Sequence, residues 1–268
     1  MIENSDLIGQ GATAEVYNYD SYKILKLYRQ GMPKDACENE FYITQNIERS
    51  LGISPKCYKI INLEGRIGAI YEKVDGKTML KEMLTKVWTI SKQSKLLAHY
   101  HYDIQKNVDF ELPTVKDKLK RDIELVKELS VIEKEKLFKY IDSLPDGNTL
   151  CHFDFHPDNI IINKGKPIII DWMTACIGDG ISDVARTSVI LKYSGVPMKS
   201  AFIKKIVKGI TKKVYYNYLK EYIKISGVYM EAIQKWELPI AAARLSEWRP
   251  EEEQKQLLKI VHQYVKSN

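Results

Sequence analysis

The run His152-Phe153-Asp154-Phe155-His156-Pro157-Asp158-Asn159, with Ile168-Ile169-Ile170-Asp171-Trp172 beyond it, decides the reading of this 268-residue chain. It spaces a carboxylate, an amide five residues on and a second carboxylate twelve residues further. Asn159–Ile162 and Lys166–Ile170 are short apolar runs on either side of Asn163-Lys164-Gly165. That pattern predicts a β-hairpin folding Asp171 back beside Asn159, so that two carboxylates and an amide converge. Mg²⁺ is a hard cation that keeps several waters, so one carboxylate and one amide beside phosphates suffice to hold it. Phosphoryl transfer needs such a cation, an acceptor held in line and a carboxylate to orient its hydroxyl, with little covalent help from the protein. Asp154 suits the base, and Asn159 and Asp171 suit the metal ligands.

The amino-terminal segment is consistent with that chemistry. Ile8-Gly9-Gln10-Gly11-Ala12-Thr13-Ala14-Glu15-Val16-Tyr17 is a glycine-rich turn between two apolar stretches. Glycines at Gly9 and Gly11, with Thr13 beside them, let backbone amides approach phosphates without Cβ interference. Tyr22–Tyr28 alternates like a strand, and a helical stretch follows with Phe41, Ile47 and Leu51 on one side. Arg66–Tyr71 reads as a strand running into Tyr71-Glu72-Lys73-Val74-Asp75-Gly76.

Together these segments resemble the aminoglycoside phosphotransferase and choline kinase-like enzymes, relatives of the protein kinases, whose signature is H-G-D-x-H-x-x-N, an apolar run and I-D-W or I-D-F. The resemblance extends from about Ile8 to Ala185. It implies an α+β, two-lobed protein-kinase-like fold: a small β-rich lobe with one helix over residues 1–74 for the nucleotide, and a larger, mainly helical lobe over 75–268 for catalysis and the acceptor. In that comparison Asp154 matches the catalytic base, and Asn159 and Asp171 the Mg²⁺ ligands. Gly9, Gly11 and Thr13 fall in the loop over the phosphates, with Ala14 at the third glycine of G-x-G-x-x-G-x-V. Lys26 matches the lysine that reaches the α- and β-phosphates, with Lys23 as the alternative. Glu40 matches its helix partner, with Glu38 as the alternative. Glu72 and Val74 would meet the purine edge through their backbone, and Tyr71 would guard the back of that pocket, a bulk that bears on ATP against GTP.

Three residues depart from the pattern. Phe153 replaces the usual glycine and narrows the acceptor side, Asp158 stands where glycine is frequent, and Met173 follows Trp172 where many members carry an acid, away from the choline-kinase branch. Leu96-Leu97-Ala98-His99-Tyr100-His101 resembles the family's L-A-x-L-H stretch, which makes His101 a buried structural residue. His152 is expected to brace the catalytic loop, and Asp183 of the D-x-A segment to tie that loop down. No A-P-E follows Asp171, and helical sequence resumes by about Val184, so a small molecule is favoured over a peptide as acceptor.

The implied activity is Mg²⁺-dependent transfer of the γ-phosphoryl of ATP or GTP to a small-molecule hydroxyl, first of all on an aminoglycoside or amino-sugar. Choline, thiamine, homoserine or another metabolite are alternatives, and a nucleotide-binding pseudokinase is an alternative of another class, although no reacting group is lost. Glu231, Glu237 and Glu247 are candidates for an acidic patch that would hold a cationic acceptor. Forty-one basic against thirty-five acidic residues give a net charge of +6. The lysines lie along Lys116–Lys136 and Lys199–Lys220, where Val115, Leu119, Ile123 and Val126, and Phe202, Ile206, Ile210 and Val214, recur at helical spacing. They read as solvated faces, and no motif accompanies them that would bring nucleic acid. Cys37, Cys57, Cys151 and Cys176 form no C-x-x-C pair, consistent with free thiols in a reducing compartment. No apolar run nears the roughly 18 residues of a membrane span, and the amino terminus has no leader pattern, so a cytoplasmic protein with no membrane partner is expected. The sequence leaves the oligomeric state open.

Overall fold

The protein is described by a computed structural model over residues 6–194 and 201–267. It divides into two compact units, Met1–Glu82 with Pro157–Thr174, and Met83–His156 with Ala175–Asn268.

In the first unit β1 (Leu7–Gln10), β2 (Ala14–Asn18), β3 (Lys23–Tyr28), β4 (Cys57–Leu63) and β5 (Arg66–Glu72) form an antiparallel sheet in the order β1-β2-β3-β5-β4, joined by one long helix, α1 (Lys34–Leu51). Strand periodicity sorts the side chains of β3. Leu25 and Leu27 pack with Tyr17 and Ile70 on one face, and Ile24 and Tyr28 pack with Cys37, Phe41, Ala69 and Tyr71 on the other. Lys26 shares the parity of Ile24 and Tyr28 and therefore belongs to the face that carries α1. On α1 the buried positions Cys37, Glu40, Thr44 and Ile47 recur at helical spacing, so Glu40 sits within the buried stripe.

A second sheet of this unit is built from β6 (Lys77–Thr78), β8 (Ile160–Asn163) and β9 (Lys166–Ile169), numbered in chain order with β7 (Thr149–Cys151) of the other unit. Asn163 pairs with Lys166, leaving Lys164-Gly165 as a two-residue turn with φ of 47° and 83°. Positive φ at both central residues is what a type I′ hairpin demands, and Gly165 adopts it without steric cost. The Ile170 amide donates to Asn159 O at 3.0 Å, which carries the pairing one residue past the strands.

The second unit is mainly helical. α2 (Met79–Thr85) leads the chain into it, and α3 (Ile90–Ile104), α4 (Val115–Glu124), α5 (Val131–Ser143), α6 (Gly180–Tyr193), α7 (Ala201–Ser226), α8 (Met230–Ala243) and α9 (Glu251–Ser267) follow. β7 pairs with β10 (Cys176–Gly178), setting Cys151 opposite Cys176, and all four cysteines are free. Every residue of α6 from Ser182 to Ile190 is buried. Its polar members, Ser182, Asp183, Arg186, Thr187 and Ser188, must then find partners inside the protein.

Two expectations about helical faces need correction. The Lys116–Lys136 stretch is two helices, because α4 ends at Glu124 and Ser130 opens α5 with a capping box to Glu133. On α7, Val214 is buried but Ile206 is exposed, and Tyr218, Leu219 and Tyr222 supply the buried face further along. Lys199 and the side chain of Phe202 lie outside the described residues. Among the described residues no helix is long and apolar enough to cross a membrane.

Candidate active site

In the first unit Lys26 Nζ lies 2.6 Å from Glu40 Oε1 and 3.2 Å from Asp171 Oδ1, and the Tyr28 hydroxyl donates to Glu40 Oε2. Burial alone would lower the Lys26 ammonium, but the Glu40 and Asp171 charges outweigh it and hold Lys26 above the usual lysine range. Burial raises the Glu40 carboxyl against the opposing pull of Lys26. Of the alternatives, Lys23 pairs with Asp20 at 3.3 Å and Glu38 with Lys34 at 3.3 Å, so the geometry joins Lys26 to Glu40.

Asp171 has φ of 64°, a left-handed conformation that aspartate tolerates better than most residues, and its side chain is 41% exposed. Directly after it, Trp172 is fully buried with Nε1 donating to Ile169 O at 3.0 Å, which pins the bend. Met173 packs, half-buried, on the apolar cluster of Tyr71, Ala69 and Tyr28, a position where an acid would be partly desolvated. Asn159 is buried beside the hairpin, and Asp158 accepts a hydrogen bond from Thr78 Oγ1 at 2.8 Å.

The glycine-rich turn is the β1–β2 hairpin. Gly11 N donates to Ala14 O at 2.8 Å, Arg29 N donates to Thr13 O at 2.9 Å, and Arg29 Nη2 donates to Gly11 O at 3.1 Å. A Cβ at Gly9 or Gly11 would meet nothing nearer than 3.6 Å, so the hairpin's own packing does not demand either glycine. Beyond β5, the amide of Glu72 is taken by Lys56 O and that of Lys73 by Tyr22 O; Val74 is the next residue of the linker. Tyr71 is buried against Phe41 at 6.0 Å between ring centres, and its hydroxyl has no hydrogen-bond partner.

In the second unit α6 answers the accounting its burial requires. Asp183 accepts from the amides of His152 at 2.7 Å and Phe153 at 2.9 Å, Arg186 Nε donates to Phe153 O at 3.1 Å, and Thr187 Oγ1 donates to Phe155 O at 2.8 Å. One turn of helix thus holds the 152–155 loop. Asp183 is itself held from behind by His101, whose Nε2 lies 2.9 Å from Oδ2 and whose Nδ1 lies 2.6 Å from the Tyr218 hydroxyl. Phe153 takes φ of 62° with its ring buried and the Arg186 guanidinium 5.6 Å above it. A positive φ accounts for the fit of glycine at this position, and burial of the ring sets its side chain into the core. Asp154 follows, its amide donating to His152 Nδ1 at 3.2 Å and its Oδ2 3.5 Å from His156 Nε2. Burial would raise its carboxyl, but His156, Arg186 and His152 together hold it below the usual carboxylate range.

Several residues of this region carry no motif. Arg186 and Thr187 could have been found from helical spacing, since i, i+3 and i+4 from Asp183 share one face. Arg244 and Arg249 carry no sequence signal, and Glu247 carries only that of the acidic patch: Arg186 Nη2 donates to Glu247 Oε1 at 2.5 Å, Arg249 also pairs with Glu247, and Arg244 Nη2 donates to Glu253 Oε1 at 2.6 Å. The suggested acidic patch does not survive as one. Glu237 is held by Lys192 at 2.6 Å and by Ser188, Glu247 by arginines, and Glu231 is exposed.

Residues 7–198 match the model of the phosphotransferase enzyme family. The chain belongs to that family. It is therefore a phosphotransferase by family, on a kinase-like fold of small antiparallel sheet and larger helical part. No curated protein matches it in sequence. Among solved structures it is similar to a putative fructosamine-3-kinase from Haemophilus somnus, at TM-score 0.59 and 13% identity over 96% of this chain and 89% of that one. The streptomycin–ATP ternary complex of APH(2")-IIa gives TM-score 0.57 and 15% identity over 96% and 90%. The aminoglycoside phosphotransferase APH(3'')-Id from Streptomyces rimosus, with ADP and streptomycin, gives 0.54 and 13% over 91% and 94%. At these identities the likeness is one of fold.

Proposed function

We propose that this phosphotransferase moves the γ-phosphoryl of ATP or GTP to the hydroxyl of a small molecule, in the cytoplasm, with Mg²⁺ as its cation. The nucleotide belongs to residues 1–74, and catalysis and acceptor binding to 75–268. The observation that carries the reading is the ammonium of Lys26 placed between Glu40 and Asp171. An ion pair retained on a buried sheet face against the cost of desolvation is more than core packing requires.

Each residue then has a task. Lys26 meets the α- and β-phosphates while Glu40 and Tyr28 fix it, and the Gly9–Thr13 turn, its Gly11 and Thr13 carbonyls engaged by Arg29, turns amides to the phosphates. Glu72 offers its carbonyl and Val74 its amide to the base. Asp171 and Asn159, one carboxylate and one amide oxygen held by a single hairpin, fit a hard cation that takes its remaining ligands from water and phosphate. Bound there, Mg²⁺ supplies neutralisation of the transferring oxygens. Asp154 orients the acceptor hydroxyl and receives its proton, and its depressed carboxyl keeps it ionised.

Streptomycin is what two of the similar structures hold, and it is the starting acceptor for the amino-sugar class; choline, thiamine and homoserine represent the other metabolite acceptors. The deciding experiment incubates the enzyme with Mg²⁺ and each nucleotide across these acceptors and follows nucleoside diphosphate release. Acceptor-dependent release supports the reading, and none with any acceptor or with water rejects it.

Two outcomes test the nucleotide side. Asp171→Ala weakens Mg²⁺-dependent nucleotide binding more than Asn159→Ala does, because a carboxylate brings charge where an amide brings a dipole. Metal titration of the two variants measures this, and unaltered Mg²⁺ responses in both would displace the metal from these residues. At the base, Tyr71 fills the rear of the site with a ring whose hydroxyl lacks a partner. GTP is expected to be a competent donor, and Tyr71→Met to raise the relative use of ATP several-fold, the worth of one hydrogen bond of about 0.5–1.5 kcal/mol. Parallel steady-state kinetics with both nucleotides would refute this if GTP is ignored and the variant is unchanged.

A further inference from the structure

The second unit holds more positive charge beside Asp154 than the transfer step uses. Arg186, on α6, lies 4% exposed, and Arg244, in the turn after α8, lies 1% exposed. Arg249, in the loop before α9, is 27% exposed and reaches the surface. Three guanidiniums share two carboxylates: Glu247, which meets Arg186, Arg249 and, at 3.8 Å, Arg244, and Glu253, which meets Arg244 at 2.6 Å and Arg249 at 3.8 Å. Asp154 is a further negative charge that all three arginines feel, and Arg186 also feels Asp122 and Asp183.

The hydrogen-bond count falls short as well. A guanidinium carries five donors and no acceptor. Arg244 Nε and Nη1 and Arg249 Nε are buried with no hydrogen-bond partner, a state that buried donors in proteins rarely occupy. Burial and the neighbouring guanidiniums pull both Arg244 and Arg249 down to about 10.

The surrounding space points the same way. The end of α6 lines a cavity of about 340 Å³ with Lys192, Tyr193 and Ser194, Lys208 and Lys212 of α7 stand across it, and Glu252 and Glu253 of α9 line it too. Ser194 Oγ lies 3.5 Å from Arg244 Nη2, so the arginine cluster adjoins this cavity. Along α6, residues 191–193 lie about 6–9 Å beyond Thr187, which grips the loop next to Asp154. A small molecule can span that distance. Of the nearby carboxylates, Glu237 pairs with Lys192 and Glu247 and Glu253 pair with arginines, while Glu252 lines the cavity as well.

From this cluster and cavity we infer that the acceptor hydroxyl compound carries an oxyanion, a carboxylate or a phosphate, which seats on Arg249 with Arg244 behind it. Guanidinium forks match both groups in bidentate geometry. The inference rests on the proposal that Asp154 is the base of a phosphotransferase.

The test begins with binding, in the full chain with ADP and Mg²⁺ present so that anions do not occupy the phosphate positions. Thermal stabilisation is measured with gluconate and glucose 6-phosphate, which separate carboxylate from phosphate, and with glucose and glucosamine as neutral and cationic counterparts. At least one anion is expected to stabilise where glucose and glucosamine do not. Arg249→Met is expected to weaken that binding about tenfold, the worth of one charge-assisted contact, with Arg249→Lys recovering part of it. Arg249 is the residue to change because Arg244 is buried and its loss could prevent folding. In turnover, KM for an anionic acceptor rises by the same factor in Arg249→Met while kcat moves much less. The inference is overturned if neither anion stabilises the protein, if Arg249→Met binds them equally well, or if neutral and cationic acceptors are preferred with unchanged KM in the variant. Failure of the parent reading looks different: no nucleoside diphosphate forms with any acceptor, while anion binding at Arg249 is still measured directly.

Discussion

Asp154→Asn is expected to fold, to bind nucleotide as the unmodified protein does and to lose roughly 10²–10⁴ in kcat, the contribution of a positioned base. Asparagine keeps the volume of the side chain and an oxygen toward His156, and the loop stays held because its clamps, Asp183, Arg186 and Thr187, grip backbone atoms of residues 152, 153 and 155. The nucleotide groups belong to the other unit and are untouched. What disappears is the negative charge that receives the hydroxyl proton. The pH dependence provides an internal check. Since the folded carboxyl is held below its ordinary value of about 3.9, Asp154 remains ionised through the range of ordinary assays and adds no acid limb to kcat/KM there. By the same sign its contribution to stability is present above that value and is lost only as pH falls through the folded pKa. The Asn variant should therefore lose stability relative to the parent near neutrality and converge with it in strong acid. Near-normal kcat in the purified variant would remove Asp154 from the reaction.

The two halves of the site differ in how far they could be read from sequence, and the difference is physical. The Asn159–Asp171 segment is a local structure: apolar runs around Lys164-Gly165 specify a two-residue turn, and the ladder follows from it without help from distant parts of the chain. The Lys26–Glu40 pairing was legible only as a choice among neighbours. Strand parity puts Lys26 and Tyr28 on one face and helical spacing puts Glu40 on the buried stripe, but both depend on a register that the sequence leaves open by a few residues. The arginine cluster was not legible at all. Arg186, Arg244 and Arg249 come together through the packing of α6 against the α8–α9 connection, a long-range event with no periodic or motif signature. The error on Glu237 and Glu247 has the same origin. Acids on helices look alike in sequence, and only their partners in the fold decide whether they remain available to a cationic ligand.

Lys26→Met is expected to lower kcat/KM by roughly 10²–10³, the effect of removing one preorganised group that meets developing phosphate charge. Glu40→Gln should cost about tenfold, because the amide oxygen can still accept from Lys26 and only the charge-assisted part of the contact, about 1.5 kcal/mol, is lost. Lys23→Met should leave activity nearly intact, since that ammonium pairs with Asp20 and stands over the Tyr58 ring instead. A severe loss in Lys23→Met with a mild one in Lys26→Met would shift the strand register and the assignment with it. Stability separates the electrostatic role from simple packing. In the Lys26→Met protein, Glu40 stays buried without the ammonium that opposes its desolvation, so its already raised carboxyl rises further. A folded state that holds a proton the unfolded chain has released becomes less stable as pH increases, starting near the unfolded glutamate value of about 4.3. The deficit in Tm between variant and parent should therefore be larger at pH 8 than at pH 5. Adding Glu40→Gln to Lys26→Met removes the titrating group and should flatten that dependence. A deficit in Lys26→Met that is the same at both pH values would mean that Lys26 and Glu40 are not coupled in the folded protein.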